Sequence, residues 1–130
     1  MAEQVARLSV PASGEWVSVV RTAAASIAAR MGFDVEGLED VRLAVGEVAG
    51  AMVAGANSDS VMDCEMRPGA NGMLEVRIAS TAARAALPEE DSFAWAVLSA
   101  LVDEARIEDS DTGVSVRMRI TRPVVASRPA

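Results

Sequence analysis

The sequence predicts a two-layer α/β sandwich, in which three helices cover one face of a mixed, mainly antiparallel five-stranded sheet. Apolar residues recur every three to four positions in some segments and alternate in others, which gives the order strand, two helices, two strands, helix, two strands. Helices distributed in this way against hairpin-linked strands are typical of such a sandwich. With no internal repeat or linker, residues 1–122 are expected to form one domain, followed by a flexible tail at 123–130.

The first half of the chain predicts one strand and two helices. Val5–Pro11 has alternating apolar residues and ends at proline, as a short strand does. Ser13 suits the N-cap of a helix over Gly14–Met31, and a second helix is predicted over Glu36–Ala54, with acids near its start. Each helix has one apolar stripe, formed by Val17, Val20, Ala24, Ile27 and Met31 on the first and by Leu38, Val41, Val45, Val48 and Met52 on the second.

The second half predicts two hairpins separated by a helix. Alternation in "SVMDCEMRP" (60–68) and "MLEVRIAS" (73–80) favours two strands joined by the turn "PGANG". A third helix is predicted over 91–105, capped by Ser92 or Asp91. The segment 106–120 then closes the sheet as a hairpin around "DTG".

The composition excludes many kinds of enzyme. All twelve basic residues are arginine, so the chain has no histidine base or ligand, no Schiff-base lysine and no P-loop lysine. Its single cysteine, Cys64, allows neither an internal disulfide nor a multi-cysteine zinc site. The acids between Asp103 and Asp111 do not have the spacing of a calcium loop. No metal site is therefore expected.

The charge balance and the N-terminal sequence indicate the kind of partner and the cellular location. A net charge of −7 lacks the basic footprint of a nucleic-acid binder and favours a basic protein partner. The segment "MAEQVARLSV" does not resemble a signal peptide, and charged residues interrupt every apolar run before it reaches the length of a membrane span. We expect a cytoplasmic protein that contacts neither nucleic acid nor membrane directly.

Two segments of the chain resemble a known family. The residues from "VPASGEW" through "EDVRLAVGEVAGAMV", with Arg21 in the first helix, are similar to bacterial anti-sigma factors with a histidine-kinase-like (Bergerat-fold) ATPase domain. The closing "DTGVSVRMRI" resembles their last hairpin. The resemblance implies binding of an alternative sigma factor, homodimerisation, and release by a competing anti-anti-sigma protein. Many such proteins also phosphorylate that competitor.

The resemblance also implies a nucleotide site, and this chain departs from it on the second helix. Glu47 matches the family's presumed general base, but Ala51 replaces the asparagine that would hold magnesium. The two positions are four residues apart in the sequence, which places them on one helical face. The methyl group of Ala51 cannot ligate a cation, because magnesium requires oxygen ligands.

The other nucleotide motifs are also altered. Ser80 or Ala79 stands where an aspartate would read adenine, and no glycine follows. Phe93 and Trp95 replace the glycines of the phosphate cradle, and we expect both rings to fill the former nucleotide cavity as core residues. The connection from Ser80 to Ser92 is also short for a lid. The sequence therefore predicts an anti-sigma factor that uses no cofactor and has no catalytic residue.

Four residues are candidates for partner contact. Arg21 and Glu47 lie off the apolar stripes, and taken alone each is read as a solvated side chain. The resemblance assigns Arg21 to the face that meets the sigma factor and its competitor, while Glu15 and Trp16 open the same helix. Trp16 suits core or dimer packing as well as it suits a hot spot of partner binding.

Two alternatives remain open at this stage. In the first, the chain is an active serine/threonine kinase that holds ATP in an altered pose and uses Glu47 as its base. In the second, the remodelled pocket binds a different small molecule and tunes partner affinity. The sequence does not identify the sigma factor or its competitor.

Overall fold

Five strands form one antiparallel sheet. The computed structural model describes residues 4–57, 59–81, 87–110 and 112–122, so the predicted tail and the hairpin residue Asp111 lie outside the described residues. The strands are β1 (Ala6–Pro11), β2 (Val61–Pro68), β3 (Met73–Ser80), β4 (Glu104–Ser110) and β5 (Gly113–Thr121). Their order is β1-β2-β3-β5-β4, and all four neighbouring pairs are antiparallel. The predicted α/β sandwich is confirmed, with a sheet that is antiparallel throughout rather than mixed.

Three helices lie against one face of this sheet. They are α1 (Gly14–Arg30), α2 (Val35–Ala54) and α3 (Phe93–Leu101). Asp34 caps α2 by accepting a hydrogen bond from the Gly37 amide at 2.8 Å, and Ser92 caps α3 by accepting one from the Trp95 amide at 3.1 Å. Ser13 occupies the predicted N-cap of α1, but its side chain makes no capping bond to the helix.

The third helix ends earlier than predicted. The sequence favoured a helix to residue 105, whereas α3 ends at Leu101 and β4 begins at Glu104. The amide of Asp103 donates to the Arg119 carbonyl at 2.9 Å, and from Glu104 onward the chain pairs with β5. Pairing with a strand distant in sequence thus overrides a local pattern that suited either structure.

One apolar cluster joins the inner sheet face to all three helices. The stripe of α2 is buried as predicted at Val41, Val45, Val48 and Met52, while Leu38 is partly buried. On α1, Val20 and Ala24 are buried, and Val17, Ile27 and Met31 are partly buried. The inner sheet face contributes Met62, Cys64, Met66, Leu74, Val76, Ile78, Val114, Val116, Met118 and Ile120. Close packing of these residues supplies the main stabilisation of the fold.

The outer sheet face carries a lattice of arginine and glutamate. Glu65 lies within 3.6 Å of arginines on both neighbouring strands, Arg7 on β1 and Arg77 on β3. Arg119 donates to Glu75 at 3.1 Å, and this bond together with the charges of Glu104 and Glu75 raises the pKa of Arg119. A face so heavily charged is solvated, which explains why the helices cover only the opposite face.

The end of β5 is tied to α1 through Arg122. Its amide donates to the Gly72 carbonyl at 2.8 Å, and its guanidinium Nη1 donates to the Met31 carbonyl at 3.0 Å. Gly32 and Gly72 have φ angles of 92° and 74°, and the Arg122 side chain lies against both. A Cβ on Gly32 would lie 2.8 Å from Arg122 Nη1, so glycine provides both the backbone conformation and the space.

Candidate functional site

The site implied by the resemblance lies where α2, α3 and β5 meet. A small cavity there has a volume of about 10 Å³. Its lining consists of Glu47, Val48, Leu87, Pro88, Ala94, Trp95, Leu98 and Val116. A space of this size holds about one water molecule.

Trp95, which the resemblance places at a phosphate-binding glycine of the family, is partly buried against the core. The Ser92 cap sets the start of α3, and the first turn of the helix then places the indole beside Leu98 at the cavity. The expectation that Trp95 packs against the core is confirmed. Leu87, Pro88 and Val116 complete the filling. Alternation in the last strand predicts an inward Val116, but no sequence motif had indicated Leu87 or Pro88.

The expectation that Phe93 is a core residue is wrong. Its side chain is 85% exposed and does not line the cavity. The buried residue of α3 is Leu98, five positions further along and about 140° around the helix axis. Phe93 therefore faces solvent, because Leu98 and Trp95 determine which side of α3 meets the core.

Glu47 is exposed at the mouth of this cavity, and no described group hydrogen-bonds to its carboxylate. Ala51, one turn later, packs partly against the core and does not line the cavity. Ser80 is only 7% exposed at the end of β3, opposite Met62 and Val114, and does not line it either. The structure thus brings Glu47 and Trp95 together but leaves Ala51 and Ser80 outside the cavity.

The groups present do not fit a magnesium nucleotide. Pockets for such ligands measure roughly 300–1,000 Å³, far more than the space between α2 and α3. Within the described ranges, no cluster of three or more acids or cysteines could hold a metal ion. Among the described residues that line the cavity, only Glu47 has a side chain with oxygen ligands, and a phosphate-bridging magnesium requires more than one protein or solvent oxygen.

A second surface lies along α1 and α2 around Arg21. The Arg21 side chain is exposed and crosses Gly46 of α2, where an added Cβ would lie 2.8 Å from Arg21 Cδ. No described carboxylate pairs with its guanidinium, which leaves the planar fork available to an external acid. No sequence motif had indicated Gly46 as part of this surface. A glycine inside a helix costs about 1 kcal/mol relative to alanine and often has a packing reason, which is the signal that could have indicated it.

Glu15 and Trp16 lie at the start of α1. Glu15 is exposed and accepts a weak hydrogen bond from Ser13 at 3.5 Å, and Trp16 is 36% exposed. Trp16 lies about 140° around α1 from Arg21, so the two side chains do not share one helical face. Glu47 faces α3, whereas Gly46 faces α1. The four predicted contact residues are therefore spread over several faces of the helical layer.

Comparison with known proteins defines the class to which this fold and site belong. The family model of the histidine kinase-like ATPase domain matches residues 10–120, from the end of β1 to the end of β5. The chain belongs to this family.

The solved structures include a protein with the same fold. The chain is similar to the crystal structure of the RsbU and RsbW domains of Rv1364c from Mycobacterium tuberculosis, with a TM-score of 0.72 and 19% identity. The match covers 98% of this chain and 34% of that one, so this chain spans about a third of that protein's length. No curated protein matches the chain. Among the described residues, no helix is both long and apolar enough to cross a membrane.

Proposed function

We propose that the chain is an anti-sigma factor that sequesters an alternative sigma factor without binding ATP. A competing anti-anti-sigma protein releases the sigma factor by exchange of binding rather than by phosphorylation. The observation that carries this proposal is the filled cavity between α2 and α3, which measures about 10 Å³ and contains Trp95. A domain that has lost its nucleotide space retains protein association as its activity.

The chemistry of the cavity supports a protein without kinase activity. Phosphoryl transfer depends on positioning the donor phosphate and neutralising its charge, commonly with metal ions. Glu47 is accessible as a base, but Ala51 offers no oxygen ligand and the start of α3 is occupied by Phe93, Ala94 and Trp95. A base without a positioned phosphoryl donor has no reaction to catalyse. The cavity also lacks room for any ligand much larger than water. This argues against the alternative in which the remodelled pocket binds a different small molecule.

Charge and exposure support the protein partner. The chain has a net charge of −7, which favours encounter with a basic surface, and the Arg21 fork suits a carboxylate within that surface. The proposed function includes a cytoplasmic location, since sigma factors act on RNA polymerase. It also includes a homodimer, which the resemblance implies. Sedimentation velocity at several concentrations tests the dimer.

Replacement of Arg21 tests the partner surface. Arg21→Ala is expected to weaken sigma binding about tenfold or more, because a charged interfacial fork is lost. Gly46→Ala is expected to weaken it to a smaller extent, because its new methyl group displaces the Arg21 stem. Affinities are measured by calorimetry against each alternative sigma factor of the same genome. Arg30→Ala is the matched control, since Arg30 is an exposed arginine of the same helix.

Two outcomes would contradict this assignment. Equal losses for Arg21→Ala and Arg30→Ala would indicate a general charge effect rather than a specific contact. Unchanged affinity for all three variants would remove Arg21 from the interface, and absence of binding to every sigma factor would overturn the proposed function itself.

Nucleotide binding is tested directly. Titration of ATP with magnesium into the protein is expected to give no saturable heat at millimolar nucleotide, because the site has no space or cation ligands. A parallel assay incubates the protein with labelled ATP and candidate anti-anti-sigma proteins. Phosphate incorporation that is lost in Glu47→Gln would restore the kinase alternative.

A further inference from the structure

Ser115 is a buried polar residue on the outer face of the sheet. Its neighbours Val114 and Val116 are buried in the core, so strand alternation directs the Ser115 side chain to the opposite, outer face. Ser115 is nevertheless only 4% exposed, although this face is otherwise solvated. No described group hydrogen-bonds to its hydroxyl. Because buried hydroxyl groups normally have a hydrogen-bond partner, the Ser115 hydroxyl is available to a ligand.

Ser115 lines a cavity of about 340 Å³ at the end of the outer face where β3 ends and β5 begins. A volume of this size is in the range of small-molecule sites. In the sheet register Ala79 lies between Asp63 and Ser115, and all three residues line the cavity. Neighbouring strands are about 4.8 Å apart, so the backbones at Asp63 and Ser115 are separated by about 10 Å, with only a methyl group between them. We call this space the outer cavity, and it is separate from the small cavity between α2 and α3.

The outer cavity is acidic. The charged residues that line it are Asp59, Asp63, Arg77, Glu108 and Asp109. Glu108 pairs with Arg117 at 2.8 Å. Arg77 pairs with Glu65 at 3.6 Å, and Asp109 also has an interaction within the chain. No described arginine pairs with the carboxylate of Asp59 or Asp63, so the two acids on the β2 side of the outer cavity lack an ion pair.

These groups favour an ammonium ion over a metal ion, an anion or a guanidinium. Among the described residues, no cluster of three or more acids or cysteines could hold a metal ion. The unpaired carboxylates repel an anion. A guanidinium presents a planar fork that matches a single carboxylate, whereas Asp63 and Ser115 are acceptors on different strands. An ammonium has three N–H donors, so it can donate to both acceptors at once.

The lining of the outer cavity also suits an alkyl chain next to the ammonium. Val61 lies between Asp59 and Asp63 in the sequence, lines the cavity and is 42% exposed. The methyl group of Ala79 covers the floor between β2 and β5. An alkyl chain gains by covering such apolar surface while its charged end reaches polar partners. The outer cavity therefore offers a contact to each part of a primary alkylammonium group.

We propose that the outer cavity binds a primary alkylammonium group, with Asp63 as its counter-ion and the Ser115 hydroxyl as a second acceptor. The group belongs either to a small free amine or to a lysine side chain of another protein, since both offer the same chemistry. The outer cavity lies on the side of the sheet that the helices leave uncovered, away from Arg21. The proposal does not rest on the anti-sigma function.

The test uses the isotopically labelled full chain and four probes. Butylamine, butanol and butyrate are short aliphatic chains that differ in their end groups, and the fourth probe is a blocked peptide with one lysine between glycines. Amide chemical shifts are followed during titration at constant ionic strength, because salt screens charge attraction. We expect saturable binding of butylamine, with shift changes at residues 59–63, 79 and 113–115, and no binding of butanol or butyrate. Tighter binding of the lysine peptide than of butylamine would assign the site to a protein partner, and weaker binding would assign it to a free amine.

Three variants test the named residues. Asp63→Asn is expected to reduce the affinity for butylamine about tenfold or more, because the counter-ion is lost. Ser115→Ala is expected to reduce it about fivefold, because a hydrogen bond to a charged group is lost. Ala79→Val fills the floor with a residue that suits a strand, and it should also weaken binding. The matched control is Glu36→Gln, which removes the same charge from an exposed side chain at the start of α2 and should leave the affinity unchanged.

Several results would overturn the proposal. These are equal binding of butanol or butyrate, shift changes that lie outside the outer cavity, no saturable binding of butylamine, and equal losses in Asp63→Asn and Glu36→Gln. Unchanged affinity in Ser115→Ala would overturn the role of its hydroxyl as an acceptor. The amide spectrum of each variant is compared with that of the wild type, so that a loss of the fold is not mistaken for a loss of binding.

Discussion

The environment of Cys64 determines the chemistry of the single thiol in this protein. Cys64 lies on the inner face of β2, between Leu8 of β1 and Ile78 of β3 in the sheet register, and is 1% exposed. Burial, with a smaller contribution from Asp63, raises the pKa of the thiol from 9.0 to about 12. The thiol therefore stays neutral and inert in the folded protein.

This shift predicts a specific dependence of stability on alkaline pH. Above pH 9 the unfolded thiol loses its proton while the folded thiol keeps it, so the folded state binds more protons and stability falls as pH rises, up to about pH 12. At pH 10 the loss relative to pH 8 amounts to roughly 1 kcal/mol. The chain has no lysine or tyrosine to titrate in the same range. Urea unfolding at pH 8 and pH 10 measures the free energy difference.

The control for this prediction is Cys64→Val, which keeps an apolar side chain of similar size and removes the titrating group. The variant is expected to show no such loss between the two pH values. If the wild type and Cys64→Val lose stability equally, the thiol titrates normally and the prediction is wrong.

At the same scale, α3 shows which residue-level expectations could be made from sequence. Phe93 and Trp95 are aromatic residues two positions apart in one helix, and both were expected in the core. Only Trp95 packs there, while Phe93 is exposed. Because every residue of α3 except Ser99 is apolar, the spacing of apolar residues does not indicate which side of the helix is buried.

Among the secondary-structure elements, Arg122, directly after β5, links that strand to the C-terminal end of α1. The guanidinium donates to the Met31 carbonyl, which belongs to the C-cap residue of α1. A cation at this end of a helix is also favoured by the helix dipole. The contact joins elements that are distant in sequence, so it contributes to the tertiary fold rather than to either element alone.

Removal of this contact is expected to destabilise the protein slightly. Arg122→Ala should lower the free energy of unfolding by about 1 kcal/mol, because a charged hydrogen bond to a carbonyl is lost at an exposed position. The backbone bond from residue 122 to Gly72 remains in the variant. Chemical denaturation measures the change. Arg42→Ala, which removes an exposed arginine paired only with Glu39 of its own helix, serves as control and should cost less.

An equal effect of Arg122→Ala and Arg42→Ala would mean that the contact with Met31 does not stabilise the fold. An effect above about 3 kcal/mol would instead indicate that Arg122 organises more of the structure than one hydrogen bond explains.

At the scale of the whole molecule, one apolar cluster connects every helix to the sheet. Leu98 of α3, Val48 of α2 and Val116 of β5 belong to this cluster and meet around the filled cavity. Here the described elements share a continuous core, and α3 is expected to unfold together with the rest.

This continuity predicts a two-state unfolding transition. In Trp16→Phe, Trp95 is the only remaining tryptophan and reports on the contact between α2 and α3. Its fluorescence and the far-ultraviolet circular dichroism are expected to show the same midpoint in urea. An earlier midpoint for Trp95 would show that α3 detaches before the sheet and the other helices unfold.

The sequence by itself determined the order of the elements and the inner faces of the strands and of α2. Alternation and three-to-four-residue spacing record burial on one side, and both are local properties that a linear pattern retains. The sequence also shows that the methyl group of Ala51 cannot ligate magnesium, since side-chain chemistry does not depend on the fold. That Ala51, Phe93 and Trp95 stand where the family has asparagine and glycines is what the resemblance implies.

Only the tertiary structure decided how the region between α2 and α3 is filled, where α3 ends and which of its sides meets the core. It also placed Gly46 beneath Arg21 and Arg122 beside Met31. These features depend on contacts between segments that are far apart along the chain. Their energies come from shape and distance in three dimensions, and no periodicity within a single segment encodes them.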